Sequence, residues 1–326
     1  MILVTGGAGF IGSNVCADLE AAGRRDIVVA DTLGHEGKWR NVAKRNLRDL
    51  IFPAEIEGWL AGRAGLEAVI HMGADSSTTA TDGDHVVRNN FRLSTRLWDW
   101  CAATGTPFVY ASSAATYGDG TLGFDDDASP EALGRLGPLN LYGWSKHLFD
   151  RWAVTRAAEG HAPPQWAGLK FFNVFGPNEG HKGDMRSLVA KTTRRIAAGE
   201  PVTLFRSHRP DFADGEQMRD FVYVKDCCAA VAWLLDHPQV SGLFNLGTGR
   251  ARSFRDLMLA VGKALGVDVE IGYADMPEAI RGQYQYFTEA RMSKLRAAGF
   301  ERPFMTLEAS MADYVANHLM AADGHR

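Results

Sequence analysis

Cysteine is scarce in this chain. Its four cysteines, Cys16, Cys101, Cys227 and Cys228, show no CxxC pair and no metal-ligand spacing over 326 residues. That excludes a zinc ribbon and a disulfide framework. The apolar, helix-like surroundings of each predict buried free thiols, kept reduced. Long apolar runs are missing too. The longest, residues 227–235, stops at Asp236, far short of the ~20 residues of a membrane span, and reads as a buried helix. The chain opens directly into a strand pattern at residues 1–5, so a signal peptide is not expected and a cytoplasmic location is. Neither charge dominates: 35 basic and 39 acidic residues leave a net charge of −4, which implies no nucleic-acid or membrane partner. A short basic group, Lys38, Arg40, Lys44 and Arg45, fits a solvated face as readily as a phosphate site. No internal repeat and no low-complexity segment interrupts the chain.

What the chain does have is an alternation of short apolar strands with longer amphipathic segments. Residues 2–4, 27–30, 68–71, 108–112 and 169–172 read as strands, with helical patterns at 11–22 and 86–104 between them. This predicts an α/β fold with a doubly wound parallel sheet of Rossmann type. After Pro177 the texture changes, and a polar loop is expected over 206–217 before strand patterns return at 221–224 and 243–246. The expected division is a dinucleotide domain over 1–173, with a return segment at about 220–247. A smaller mixed α/β substrate-binding domain would then take 174–219 and 248–326.

Gly6, Gly9 and Gly12 sit between the first strand and the first helix. At that spacing backbone can approach a pyrophosphate at a helix N-terminus. Asp31 follows Gly12 by 19 residues and closes the second strand, where an acid hydrogen-bonds the adenosine ribose and disfavours a 2′-phosphate. Lys38 and Arg40 offset that repulsion, so the residues alone leave NAD and NADP open. The loop Met72, Gly73, Ala74, Asp75, Ser76 follows the third predicted strand and is placed to pass beneath the nucleotide.

Tyr142 and Lys146 share a helix face. A neighbouring ammonium and a positive nicotinamide both favour the phenolate, which makes Tyr142 an acid/base candidate. With Ser113 at a strand end, this set resembles the short-chain dehydrogenase/reductase superfamily, in the extended branch that acts on nucleotide sugars. Ser113 then matches the serine that orients a substrate hydroxyl, Tyr142 the acid/base and Lys146 its helper. Two further segments look like that branch, the one from Arg219 to Asp226 and the one from Asn245 to Gly249.

A narrower resemblance covers nearly the whole chain. The run Glu179, Gly180, His181, Lys182, Gly183, preceded by Phe172 to Pro177, resembles the ADP-glyceromanno-heptose 6-epimerase family. So do Asp75 to Thr79, Ala111 to Gly118, and Phe287 with Thr288. The resemblance implies that Lys182 is a second acid/base opposite Tyr142, with His181 supporting the loop. It implies NADP as cofactor, touched by Gly6, Gly9, Phe10, Ile11, Gly12, Asp31, Thr32, Lys38, Met72, Gly73, Ala74, Asp75, Ser76, Asn89, Lys146, Val174 and Lys182. Substrate positions carried over are Ser113, Asn173, Asp184, Lys191, Phe205, Arg206, Ser207, His208, Arg219 and Tyr284. Pro53 stands where some members have a lysine. A nucleotide sugar, ADP-heptose, and a homo-oligomer, a pentamer, are the implied partners; no metal is. One rival is a UDP-hexose 4-epimerase, which has no need of Lys182. A dehydratase would place an acid pair where Ala114 and Ala115 stand. A non-catalytic redox sensor on the same fold is the rival of a different class, and an intact Ser113, Tyr142 and Lys146 speaks against it.

Overall fold

Strands β1 (Ile2–Thr5), β2 (Ile27–Ala30), β3 (Asp49–Ile51), β4 (Ala68–His71), β5 (Phe108–Ser113) and β6 (Trp166–Phe171) form most of the central sheet of this computed structural model, which describes residues 1–35, 37–282 and 284–326. All pair in parallel, in the order 3-2-1-4-5-6. Both faces of such a sheet are covered, so its strands are apolar throughout and adjacent residues serve opposite cores. Ile2 and Val4 enter one cluster with Ile70, Val109 and Leu169, while Leu3 enters the other with Val28, Val69 and Trp98. The strand order reverses between β1 and β4, which opens a crevice at the carboxyl ends of the strands.

Beyond β6, three two-stranded pairs build the remaining layer. β7 (Asn173–Phe175) lies parallel to β10 (Phe221–Tyr223), and β8 (Val202–Phe205) is paired with the later β13 (Ile271–Ala274). β9 (Met218–Arg219) runs antiparallel to β12 (Arg252–Ser253), and β11 (Gly242–Leu246) returns to the edge of the large sheet beside β6. A third apolar cluster joins Val189, Ile196, Leu204, Met258 and Met311 under this layer. The polar stretch 206–217 carries no strand or helix. Among the described residues no helix is long and apolar enough to cross a membrane. All four cysteines are buried and free; burial pushes the Cys16 thiol up to about 12.

Three expectations change in detail. The strand expected at 169–172 starts at Trp166. The three-residue edge strand β3, with only Ile51 buried, has too short an apolar pattern to be legible. The expected helix at 86–104 is broken into Gly83–Val86, a π-helical turn at Val87–Arg92, and Leu93–Thr104. The extra residue turns Asn90 inward, where its amide bonds the backbone of Asp75 on both sides and the Ser145 hydroxyl.

Candidate active site

The chain leaves β1 through a turn that only glycine permits. Gly6 has φ +65, and a Cβ there would lie 2.6 Å from the Gly73 backbone; a Cβ on Gly12 would lie 2.2 Å from the Gly6 carbonyl oxygen. The helix Phe10–Ala21 then begins at Gly9 with no side-chain cap and no acid in its first turn. Its N–H groups and positive dipole end are thus available to an anion, as a dinucleotide pyrophosphate requires. Asp31 faces this turn from β2. One carboxylate oxygen accepts from the Ala8 N–H at 2.9 Å, the other from the Thr32 N–H at 2.7 Å and from Lys38 Nζ at 2.6 Å. Thr32 contributes its backbone, since its side chain is exposed.

His71 ends β4 and touches Thr5 Oγ1 at 2.6 Å and Ser94 Oγ at 2.8 Å. Complete burial, aided by the nearby Lys146 charge, pulls its pKa down to about 3, so the imidazole is neutral. The Thr5 hydroxyl also accepts from the Gly73 N–H at 3.2 Å, which fixes the next loop. Met72, Gly73, Ala74 and Ser76 of that loop line a cavity of about 520 Å³. Asp75 turns away from it: its carboxylate binds its own turn and lies 3.4 Å from His85 Nε2, to which Asn89 is also bonded. Asp75 and Asn89 are therefore brought together, but outside the cavity lining.

Ser113, Tyr142 and Lys146 line the same cavity. The last two lie one turn apart on the helix Leu141–Ala158, which Asn140 caps through the Gly143 N–H at 2.9 Å. A Cβ on Gly143 would stand 2.7 Å from the Ala115 carbonyl oxygen, so glycine lets this helix press against the turn that follows Ser113. Lys146 is buried and donates to the Ala111 carbonyl at 2.8 Å; burial lowers its pKa to about 8, against the pull of Asp150. Burial opposes the lowering of Tyr142 expected from Lys146 and a bound nicotinamide. Burial is the larger influence on Tyr142 and pushes its phenol up, with the Ser113 hydroxyl opposing.

Beneath this pair lies an ion pair sealed from solvent. Asp150, one further step along the helix face, accepts from Lys170 Nζ and Ser112 Oγ, each at 2.7 Å, and from the Tyr110 hydroxyl at 3.0 Å. Lys170 also donates to Thr116 Oγ1 at 2.8 Å.

Lys182 lines the same cavity from another element, the turn Gly180–Met185. Its ammonium lies 5.1 Å from the centre of the Phe10 ring, and burial lowers its pKa while Glu179 resists. His181 is held by Asn41 at 3.1 Å and stays neutral, its pKa lowered to about 4 chiefly by burial. Asn41 bonds the carbonyls of Ala8 and Asn178 as well, tying this turn to the glycine turn.

The predicted substrate residues divide into groups. Asn173 and Val174 line the cavity. Arg219, on β9, is buried with its guanidinium 4.9 Å from the Tyr284 ring and 5.6 Å from the Phe254 ring; Phe254 itself lines the cavity. Phe205 meets Tyr284 edge-on at 6.2 Å. The Ser207 N–H donates to Asp214 and the His208 N–H to Tyr286, while Arg206 faces Asp275 at 3.4 Å. Lys191 donates to the Asp184 carbonyl at 2.6 Å, so these two hold each other beside the Lys182 turn rather than lining the cavity. His71, Asn41, Asn90, Asp150 and Lys170 were not among the predicted site residues. Only Lys170 carried a signal, as a charge inside the apolar run Leu169, Lys170, Phe171.

Residues 2–247 match the model of the NAD dependent epimerase/dehydratase family. The chain belongs to that family. It is 50% identical, over 100% of both chains, to ADP-L-glycero-D-manno-heptose-6-epimerase of Nitratidesulfovibrio vulgaris strain Hildenborough. The crystal structure of Helicobacter pylori ADP-L-glycero-D-manno-heptose-6-epimerase superposes with a TM-score of 0.76 at 27% identity, covering 96% of this chain and 94% of that one. Thermus thermophilus UDP-glucose 4-epimerase, in complex with NAD, gives a TM-score of 0.73 at 26% identity over 98% and 99% of the two chains. The glycine cradle and the family together define the cavity as a nicotinamide dinucleotide site.

Proposed function

We propose that this protein epimerises ADP-D-glycero-D-manno-heptose at C6 to the L-glycero epimer, a step toward the inner core of lipopolysaccharide. The observation that carries this reading is that Tyr142 and Lys182, borne by different elements, line one cavity with Ser113 and the glycine cradle. Inverting a carbon by oxidation and re-reduction calls for proton transfer on each of its faces. Gly6, Gly9 and the start of the helix Phe10–Ala21 would hold a nicotinamide dinucleotide, which would supply reversible hydride transfer at C6. The chain supplies the rest. Tyr142 or Lys182 accepts the C6 hydroxyl proton, Ser113 orients that hydroxyl, and the 6-ketone turns within the cavity. The other group then gives a proton to the new alkoxide. Burial lowers the Lys182 pKa and raises that of Tyr142.

Arg219 and Tyr284 are read as holding the nucleotide diphosphate end, since a guanidinium fork suits paired oxygens. NADP is the favoured cofactor, supported by Lys38, whose ammonium offsets the Asp31 charge where a 2′-phosphate would sit. The large sheet with its β11 return is read as the cofactor domain, and residues 174–219 and 248–326 as the substrate domain. A cytoplasmic setting is supported by four free thiols; a homo-oligomer rests on the family resemblance alone. The test is an NMR assay of ADP-D-glycero-D-manno-heptose with the purified protein and no added cofactor. Conversion at C6 without NADPH accumulating is expected. No conversion, even with NADP⁺ or NAD⁺ supplied, refutes the assignment.

A further inference from the structure

The turn that carries Lys182 is open at both of its glycines. A Cβ placed on Gly180 or Gly183 would meet no atom within 4 Å, and Gly183 has φ +53. Neither glycine is pinned by a neighbour, so the turn is held by His181, bonded to Asn41 at 3.1 Å, and by its two ends. Both ends meet one buried carboxylate. Glu179, 2% exposed, precedes the turn, and its backbone carbonyl accepts the Lys182 N–H at 3.1 Å. Its side chain accepts from the Ser187 N–H at 2.5 Å and the Ser187 hydroxyl at 2.7 Å, just after the turn closes. Ser187 in turn caps the helix Leu188–Ala197. The same carboxylate accepts from the Gly176 N–H at 3.3 Å and, at 2.9 Å, from the Tyr314 hydroxyl on the helix Leu307–Tyr314.

We infer that Glu179 is the positioning residue for Lys182: one carboxylate closes the turn, anchors it to the C-terminal helix, and sets the charge field the lysine sits in. This rests on Lys182 being the second base. Charge argues for it as well as geometry. Among the described residues, Glu179 is the charge that favours the Lys182 ammonium, against the burial that opposes it. Other groups surround the turn. Asp184 lies within it and offers its carbonyl to Lys191 at 2.6 Å. His181 is neutral and is faced by Lys38 and Asp31 from the cofactor side. Arg186 faces Tyr314 and lines the Lys182 cavity. Tyr223, behind Tyr314, spends its hydroxyl on Asp313 at 2.6 Å. Arg194 and His318 border Glu179 from the adjoining cavity.

Two variants separate charge from placement. Glu179→Gln keeps the shape and removes the charge; Tyr314→Phe keeps the charge and removes one anchor. The direct reading is the pH midpoint of Lys182 carbamylation by cyanate, followed by peptide mass spectrometry on the cofactor-bound protein. Glu179→Gln is expected to lower that midpoint by about one pH unit, and Tyr314→Phe to leave it in place. Turnover of the ADP-heptose is expected to fall in both through kcat more than through KM, by about tenfold in Glu179→Gln. Equal midpoints in wild type and Glu179→Gln, or equal displacements in the two variants, overturn the inference. Should Glu179→Gln not fold, Ser187→Ala carries the test: a lower kcat at an unmoved midpoint supports the latch, and an unchanged kcat overturns it. A wild-type protein inert toward ADP-heptose refutes the proposed reaction, while the labelling midpoints still decide the role of Glu179.

Discussion

The residues of this site divide by how they carry charge. His71 is neutral because it is sealed under the nucleotide crevice, with its pKa pulled down to about 3 from 6.5. The sign of the consequence is fixed. Between those values the unfolded chain binds a proton that the folded chain does not, so stability is whole above pH 6.5 and drains as pH falls toward 3. From pH 7 to pH 5 the loss through this group is about 2 kcal/mol. Urea unfolding should show His71→Asn losing that much less than wild type over the same interval, whatever the substitution costs at pH 7. Equal losses in the two proteins contradict the account. Such a residue is hardly legible in sequence, where His71 is only the end of an apolar strand. Gly6, Gly9 and Gly12 are legible because their spacing is local and the steric demand acts within a few residues. Tyr142 and Lys146 are legible for the same reason, as one helix face. Their proton affinities are not, because burial by distant segments governs both.

At the scale of elements, the helix Leu141–Ala158 and strands β5 and β6 are locked together by one ion pair. Asp150 and Lys170 are 0% and 1% exposed and come from different elements. Removing only the cation leaves a carboxylate buried without its partner. Lys170→Met is therefore expected to cost about 3–5 kcal/mol in chemical denaturation. The double variant Asp150→Leu/Lys170→Met should recover much of that loss. If the single and double variants are equally unstable, the pair is not the origin of the cost. Sequence periodicity found most strands of the large sheet, but it missed β3 and placed a continuous helix over the π-helical turn at Val87–Arg92. The turn exists because Asn90 bonds Asp75 and Ser145, contacts that no local pattern encodes.

For the whole molecule, the strand order puts the crevice between β1 and β4, and the later half of the chain walls it from the other side. Lys182 belongs to that wall, and Tyr142 to the sheet side. Neither half alone assembles the two proposed acid/base groups, which is why the second came into view in the sequence only through the Gly-His-Lys-Gly resemblance. The outer residues Asp184, Lys191 and Arg206 show the limit of that route: they were carried over by position, and here they bond one another or Asp275. The central claim is that two bases in one cavity invert C6. Its most direct test is the rate at which Lys182→Met converts ADP-D-glycero-D-manno-heptose, followed by NMR, with bound cofactor quantified in the same sample and Tyr142→Phe alongside. Two-base inversion predicts that each variant keeps its cofactor and loses epimerisation by about two orders of magnitude or more. Near-wild-type turnover in Lys182→Met contradicts it.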